Sequence, residues 1–263
     1  MSDVLARLKQ LNSGFSPLNG LDSAARRHIA FGVETIDRRL DGGLLAGRLH
    51  EVLPARSADA ARASAFAGAL AHRAGRQERQ VVWIRQTVSE LEAGGLYAPG
   101  LAELGFDPAG LTVIRARNHR TLLLAALEAI RCTPLGAVVI EAWGNSRPLD
   151  LTATRRLTFA AEKSGVTPIL LWIAAKPTAS AAITRWQVRS APSRPLAANA
   201  PGLPVFDLTL LRNRAGASGQ RWRVEWDHEH FRFRPAAPLS GGVAALPAGR
   251  PAETSRQPVA RTG

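Results

Sequence analysis

Short apolar runs that alternate with stretches of helical period constrain this chain more than any other feature. Val81–Arg85, Leu135–Glu141 (LGAVVIE) and Thr167–Ile173 (TPILLWI) are each bounded by polar residues. Runs that are apolar at consecutive positions bury both faces of a strand, as in the middle of a parallel sheet. Between them, His119–Arg131 places Leu122, Leu123, Ala126, Leu127 and Ile130 on one helical stripe, and Asp150–Ser164 does the same with Leu151, Leu157 and Ala160. An Ala-rich helix over Ala58–Arg76 precedes the first run, with Phe66 and Leu70 on one face. This alternation predicts an α/β fold: a mostly parallel central sheet with helices on both faces.

The period changes after Pro177. Trp186–Arg189, Phe206–Arg212 and Arg221–Trp226 alternate every second residue, and the turn Ala215–Gly219 joins the last two into a C-terminal antiparallel β-hairpin. Trp222, Val224 and Trp226 share one face, and Arg221, Arg223 and Glu225 the other. The order divides the chain into an N-terminal helix and linker (1–27), one α/β domain (28–234) and a tail (235–263). The tail holds five prolines, four glycines and few large apolar side chains, which predicts disorder.

Charge narrows the function. The formal net charge is +13, carried by 31 arginines and three lysines. Such a surface attracts nucleic acid or an acidic protein, yet the arginines are scattered rather than gathered in one run. No apolar run reaches the roughly 18 residues of a membrane span. One cysteine, Cys132 at an apolar helix end, fits a buried inert thiol and a reducing cytoplasm. His228-Glu229-His230 reads as a polar strand end or turn, so no metal site is assigned.

Residues 48–71 have the layout of a phosphate-binding loop: strand, short loop, helix. A working loop needs glycines for close backbone approach and a Lys-Ser/Thr pair for phosphates and Mg²⁺. Here Pro54, Ala55, Arg56, Ser57, Ala58, Asp59 and Ala60 contain neither glycine nor lysine, and Asp59 would repel a phosphate. The scaffold is expected to bind no nucleotide cofactor and to catalyse nothing.

Together these signals resemble the RecA-like ATPase core over roughly residues 28–234. The glycine-rich lead-in Asp41–Arg48, the vestigial loop after Leu53 and the segment Leu96–Asp107 carry that likeness. Within the superfamily, GVETIDRRLDGGLLAGRLHEV, ITRWQVRSAPSR and LTLLRNRAGASGQRWRVEWDHEHFRF resemble the ImuA family of bacterial mutagenesis cassettes. The resemblance implies a nucleotide site with three losses. Its lysine is missing, Thr87 stands where the catalytic glutamate would follow a strand, and Ala174-Ala175 replace the nucleotide-sensing glutamine. Glu141 stands where the acid that orders Mg²⁺ would be. It also implies a cytoplasmic pseudo-ATPase in SOS-induced translesion synthesis, partnered by an ImuB-like polymerase relative, an error-prone replicative-type polymerase and RecA. The division inhibitor SulA shares a degenerate RecA-like core, so inhibition of cell division is the alternative, with weak ATP binding another.

Two surfaces are candidates for partners. Val4, Leu5, Leu8 and Leu11 form one stripe of an N-terminal helix that a RecA-like subunit could order. The basic hairpin offers Arg212, Arg214, Arg221 and Arg223 to DNA or an acidic partner. Trp186, Trp222 and Trp226 interleave with arginines, which suits either packing of the hairpin on the sheet or an interface with protein or single-stranded DNA.

Overall fold

A computed structural model describes residues 27–75, 80–107, 111–195 and 202–237. The N-terminal stripe of Val4, Leu8 and Leu11, and the tail from 238 onward, lie outside the described residues. The lead-in forms β1 (His28–Ile29), α1 (Glu34–Arg39) and β2 (Leu44–Leu45), with β1 and β2 paired antiparallel. Asp37 organises this unit: its carboxylate accepts the Phe31 and Gly32 N–H groups at 2.6 and 2.9 Å. Asp41, Gly42 and Gly43 then turn the chain with positive φ. A Cβ at Gly43 would collide with the Ile29 carbonyl, so the double glycine lets the turn lie against β1.

Next come β3 (His50–Pro54), a 3₁₀ turn (Ser57–Asp59), α2 (Ala60–Gly75) and β4 (Gln80–Gln86). Two short helices follow, α3 (Thr87–Ala93) and α4 (Ala98–Glu103), then β5 (Thr112–Ala116) and α5 (His119–Arg131). The core closes with β6 (Leu135–Trp143), α6 (Leu151–Ser164), β7 (Thr167–Ile173) and β8 (Thr184–Ser190). The start of α5 is set by a reciprocal cap between Asn118 and Thr121, and that of α6 by Asp150, which accepts the Ala153 N–H at 2.8 Å. Gly165 in the left-handed conformation ends α6.

A nine-stranded sheet runs β11-β10-β9-β8-β3-β7-β6-β4-β5, where β9 is Val205–Asn213, β10 Arg221–Asp227 and β11 Arg232–Pro235. Strands β3 to β8 are parallel; β8 to β11 are antiparallel. The hairpin expected from the period-two alternation is therefore the middle of a longer antiparallel extension. It gains β11, which runs one residue past the expected domain edge at Arg234. No helix of the described residues is long and apolar enough to cross a membrane.

Two cores flank the sheet. On one face α2 packs with Phe31, Phe66, Trp186, Phe206, Trp226 and Phe233, whose neighbouring rings lie 4.9–6.3 Å apart. Trp186 and Trp226 are fully buried there, so these two tryptophans are packing residues, and Trp222 is half-buried against Trp186. On the other face α5 and α6 cover Val82, Ile84, Val138, Ile140 and Leu170. Cys132 caps α5, buried, with its thiol pKa raised by desolvation.

Candidate nucleotide-site remnant

Topology brings the ends of β3, β4, β6 and β7 together beneath the first turns of α2. In open α/β sheets ligands bind at the carboxyl ends of the strands. A cavity of about 430 Å³ lies here, lined by Ala60, Ala61, Ser64, Arg85, Glu141 and Ile173 among others.

The loop that would cradle phosphates is tied down. The Ala55 N–H donates to the Val188 carbonyl at 2.8 Å, and Asp59 is fully buried. Its carboxylate accepts the Ser190 N–H at 2.9 Å and Arg56 Nε at 3.2 Å. Burial alone would raise the Asp59 carboxyl; the bonds from Arg56 and Ser190 outweigh it and hold the pKa at about 2. Asp59 thus fastens the loop to β8 instead of facing the cavity as a repelling charge. Pro54 ends β3, Ser57 opens the 3₁₀ turn on the surface, and Ala60 contributes only a methyl group to the lining.

Glu141 is engaged on both oxygens. Arg85 Nη2 donates to Oε1 at 3.0 Å and Trp83 Nε1 to Oε2 at 2.9 Å. The side chains of Arg85 and Glu141 are only 5% and 3% exposed, so this is a buried ion pair. The carboxylate that would order Mg²⁺ through water instead neutralises an arginine of the neighbouring strand. Thr87 does not face it. Thr87 begins α3, and its hydroxyl points to the Ala116 carbonyl at 3.4 Å. The residue opposite Glu141 is Arg85, two positions earlier, because β4 runs on to Gln86. Gln86 ties three elements together: its Oε1 accepts the Trp143 N–H at 2.7 Å, and its Nε2 lies 3.3 Å from Nδ1 of His119. After β7, Ala174 takes a positive φ, and neither it nor Ala175 has a side chain that could sense a ligand.

A second buried acid lies on β3 itself, the strand that leads into the loop. Glu51 accepts Arg185 Nε at 2.6 Å, Arg212 Nη2 at 3.2 Å and Trp172 Nε1 at 3.2 Å. The arginines expected on the hairpin surface differ in their surroundings. Arg212 turns inward to Glu51 and Ser180, and Arg214 donates to the Ala182 and Ser180 carbonyls at 3.1 and 2.8 Å. Arg223 is exposed but bidentate to Asp207 at 2.7 and 3.1 Å. Arg221 and Arg189 remain exposed beside it, around a shallow opening that Trp222 also lines.

His228-Glu229-His230 forms the turn between β10 and β11. Asp227 accepts the Glu229 and His230 N–H groups and His230 Nδ1, so its carboxylate holds the turn. Sequence reasoning missed Arg85, Glu51 and His50. Arg85 and Glu141 were recognisable as opposite charges at the ends of two otherwise apolar strands. His50 carried no such signal. It is buried with Nε2–H donated to the Leu45 carbonyl at 2.9 Å and Nδ1 accepting from Thr184 at 2.8 Å. Desolvation lowers its pKa to about 4.

No protein-family model matches the chain. Among solved structures, that of the RadB recombinase superposes with a TM-score of 0.53 at 14% identity, covering 80% of this chain and all of that one. That likeness establishes the RecA-like recombinase fold. The ImuA proteins of two Caulobacter vibrioides strains, NA1000/CB15N and ATCC 19089, are each 33% identical over 241 residues, covering 84% of this chain and 94% of theirs. The chain belongs to the ImuA family.

Proposed function

We propose that this chain is a non-catalytic RecA-like accessory protein of SOS-induced translesion DNA synthesis, a cytoplasmic scaffold or regulator of an error-prone polymerase complex. The observation that carries the non-catalytic part is the state of the loop and its opposing acid. The loop has neither glycine nor lysine and is fastened to β8 through Asp59, and both oxygens of Glu141 are taken. Phosphoryl transfer depends almost wholly on positioned cations and N–H donors, and these groups supply neither. Among the described residues, Lys163 and Lys176 do not line the cavity, which supports this reading over an ATPase with a displaced lysine. Membership of the ImuA family supports the mutagenesis setting.

The partners of this reading are an ImuB-like polymerase relative, an error-prone replicative-type polymerase and RecA. The stripe of Val4, Leu8 and Leu11 is assigned to RecA. The exposed Arg189, Arg221 and Arg223 are assigned to an acidic polymerase-side surface. Co-purification of the chain with each of the three, and with the division-ring GTPase, tests this. Arg221→Glu should weaken the polymerase-side contact without unfolding, since Arg221 has no ion-pair partner among the described residues. Deleting residues 1–12 should weaken only the RecA contact. Capture of the division-ring GTPase and of none of the three would replace this reading with division inhibition.

A further inference from the structure

The outer face of α5 and α6 carries a cationic aromatic patch that the preceding reading does not use. Thr152, Arg155, Arg156, Phe159 and Lys163 recur at helical spacing along α6, so they share one stripe. Phe159 is 59% exposed in the middle of that stripe. Lys163 Nζ sits 4.6 Å from the centre of its ring. Across the groove stand Leu127, Arg131 and Thr133, closing an open depression of about 610 Å³.

The local carboxylates pair with cations other than those of the α6 stripe. Glu128 pairs with Arg131 at 2.8 Å, and Glu162 pairs with Arg48. Among the described residues Arg155, Arg156 and Lys163 have no carboxylate partner. An exposed phenylalanine flanked by uncompensated cations adds nothing to the core. Both halves of the feature match one ligand chemistry: a flat π-face for stacking, and guanidinium, ammonium and hydroxyl donors for phosphate oxygens. Phe159 is the one exposed large apolar side chain of α6, whereas an amphipathic helix would need anchors over several turns.

We propose that this face binds single-stranded nucleic acid, one base stacking on Phe159 and neighbouring phosphates contacting Arg155, Arg156 and Lys163. The inference does not depend on the mutagenesis reading, and its failure would leave that reading standing.

Fluorescence anisotropy of the full chain with a labelled 20-nucleotide oligo-dT, across a salt series, tests it. Three phosphates neutralised on a single strand give a slope of log K against log salt of about −2, at about 0.7 per phosphate. Phe159→Ala should weaken binding roughly tenfold and leave that slope unchanged, because it removes stacking and no charge. Arg155→Ala with Arg156→Ala should flatten the slope by about 1.4. All three side chains are exposed, and unchanged urea midpoints confirm that the variants fold. Arg221→Ala should bind like the parent chain. The proposal is overturned if Phe159→Ala binds as the parent does. It is also overturned if Arg221→Ala alone abolishes binding, which would move the site to β8–β10. Equal binding of poly-glutamate with no dependence on Phe159 would overturn it too, marking the face as a site for acidic polypeptide.

Discussion

Removing one member of the Arg85–Glu141 pair should expose how far these two buried charges depend on each other. Arg85→Met leaves the Glu141 side chain, 3% exposed, with only the Trp83 N–H on Oε2. Breaking a buried pair from one side costs about 3–5 kcal/mol, because the surviving charge has lost both water and partner. The remaining Trp83 bond and the adjoining cavity favour the lower end, about 3 kcal/mol. Glu141→Leu strands the guanidinium and also removes the acceptor of Trp83 Nε1. The double variant Arg85→Met, Glu141→Leu buries no charge, and the loss at Trp83 is common to it and the Glu141 single variant. Its cost should therefore fall short of the sum of the singles by about 2 kcal/mol or more. Urea unfolding of the four proteins, followed by tryptophan fluorescence, measures the cycle. Additivity within about 0.5 kcal/mol would refute the claim that these charges hold each other in place.

Burial holds the His50 imidazole at about 4 in the fold against an ordinary 6.5, so the unfolded chain takes up a proton that the folded one refuses. Stability is full above pH 6.5 and falls as the pH drops toward 4. The loss is about 2 kcal/mol between pH 7 and pH 5, and His50→Gln should flatten that part of the profile of urea midpoints. Gly43→Ala would force a Cβ against the Ile29 carbonyl at φ +124°, and should lower the thermal midpoint by at least about 5 °C. Limited proteolysis should trim residues beyond Pro235 and leave a stable core, judged by mass spectrometry of the resistant fragment; loss of the core in the same digestion would refute the domain boundary.

The parallel core was legible because its strands are apolar on both faces and its helices are periodic. Val81–Arg85, Leu135–Glu141 and Thr167–Ile173 emerge in the structure as β4, β6 and β7, each extended by no more than two residues at either end. The short pairings β1–β2 and β11 were not legible. Two to four residues carry no period, and contacts from outside the pairing accompany them, such as the Phe233 N–H of β11 on the Phe31 carbonyl at 3.0 Å. The missing lysine and glycines could be read directly. What replaced them could not, because Arg85 and Glu141 are 56 residues apart and meet only through the pairing of β4 with β6. The same long-range geometry divides the hairpin arginines: Arg212 turns in to Glu51 and Ser180, Arg214 lies at the surface with its guanidinium on the Ser180 and Ala182 carbonyls, and Arg221 stays at the surface.

Isothermal titration of the chain with ATP and Mg²⁺, paired with a phosphate-release assay on the same preparation, tests the pseudo-ATPase most directly. The tethered loop and the doubly engaged Glu141 predict no micromolar binding and no turnover above a protein-free blank. Saturable micromolar binding of Mg²⁺-ATP, or phosphate release that rises with protein concentration and disappears in Glu141→Gln, would contradict the account.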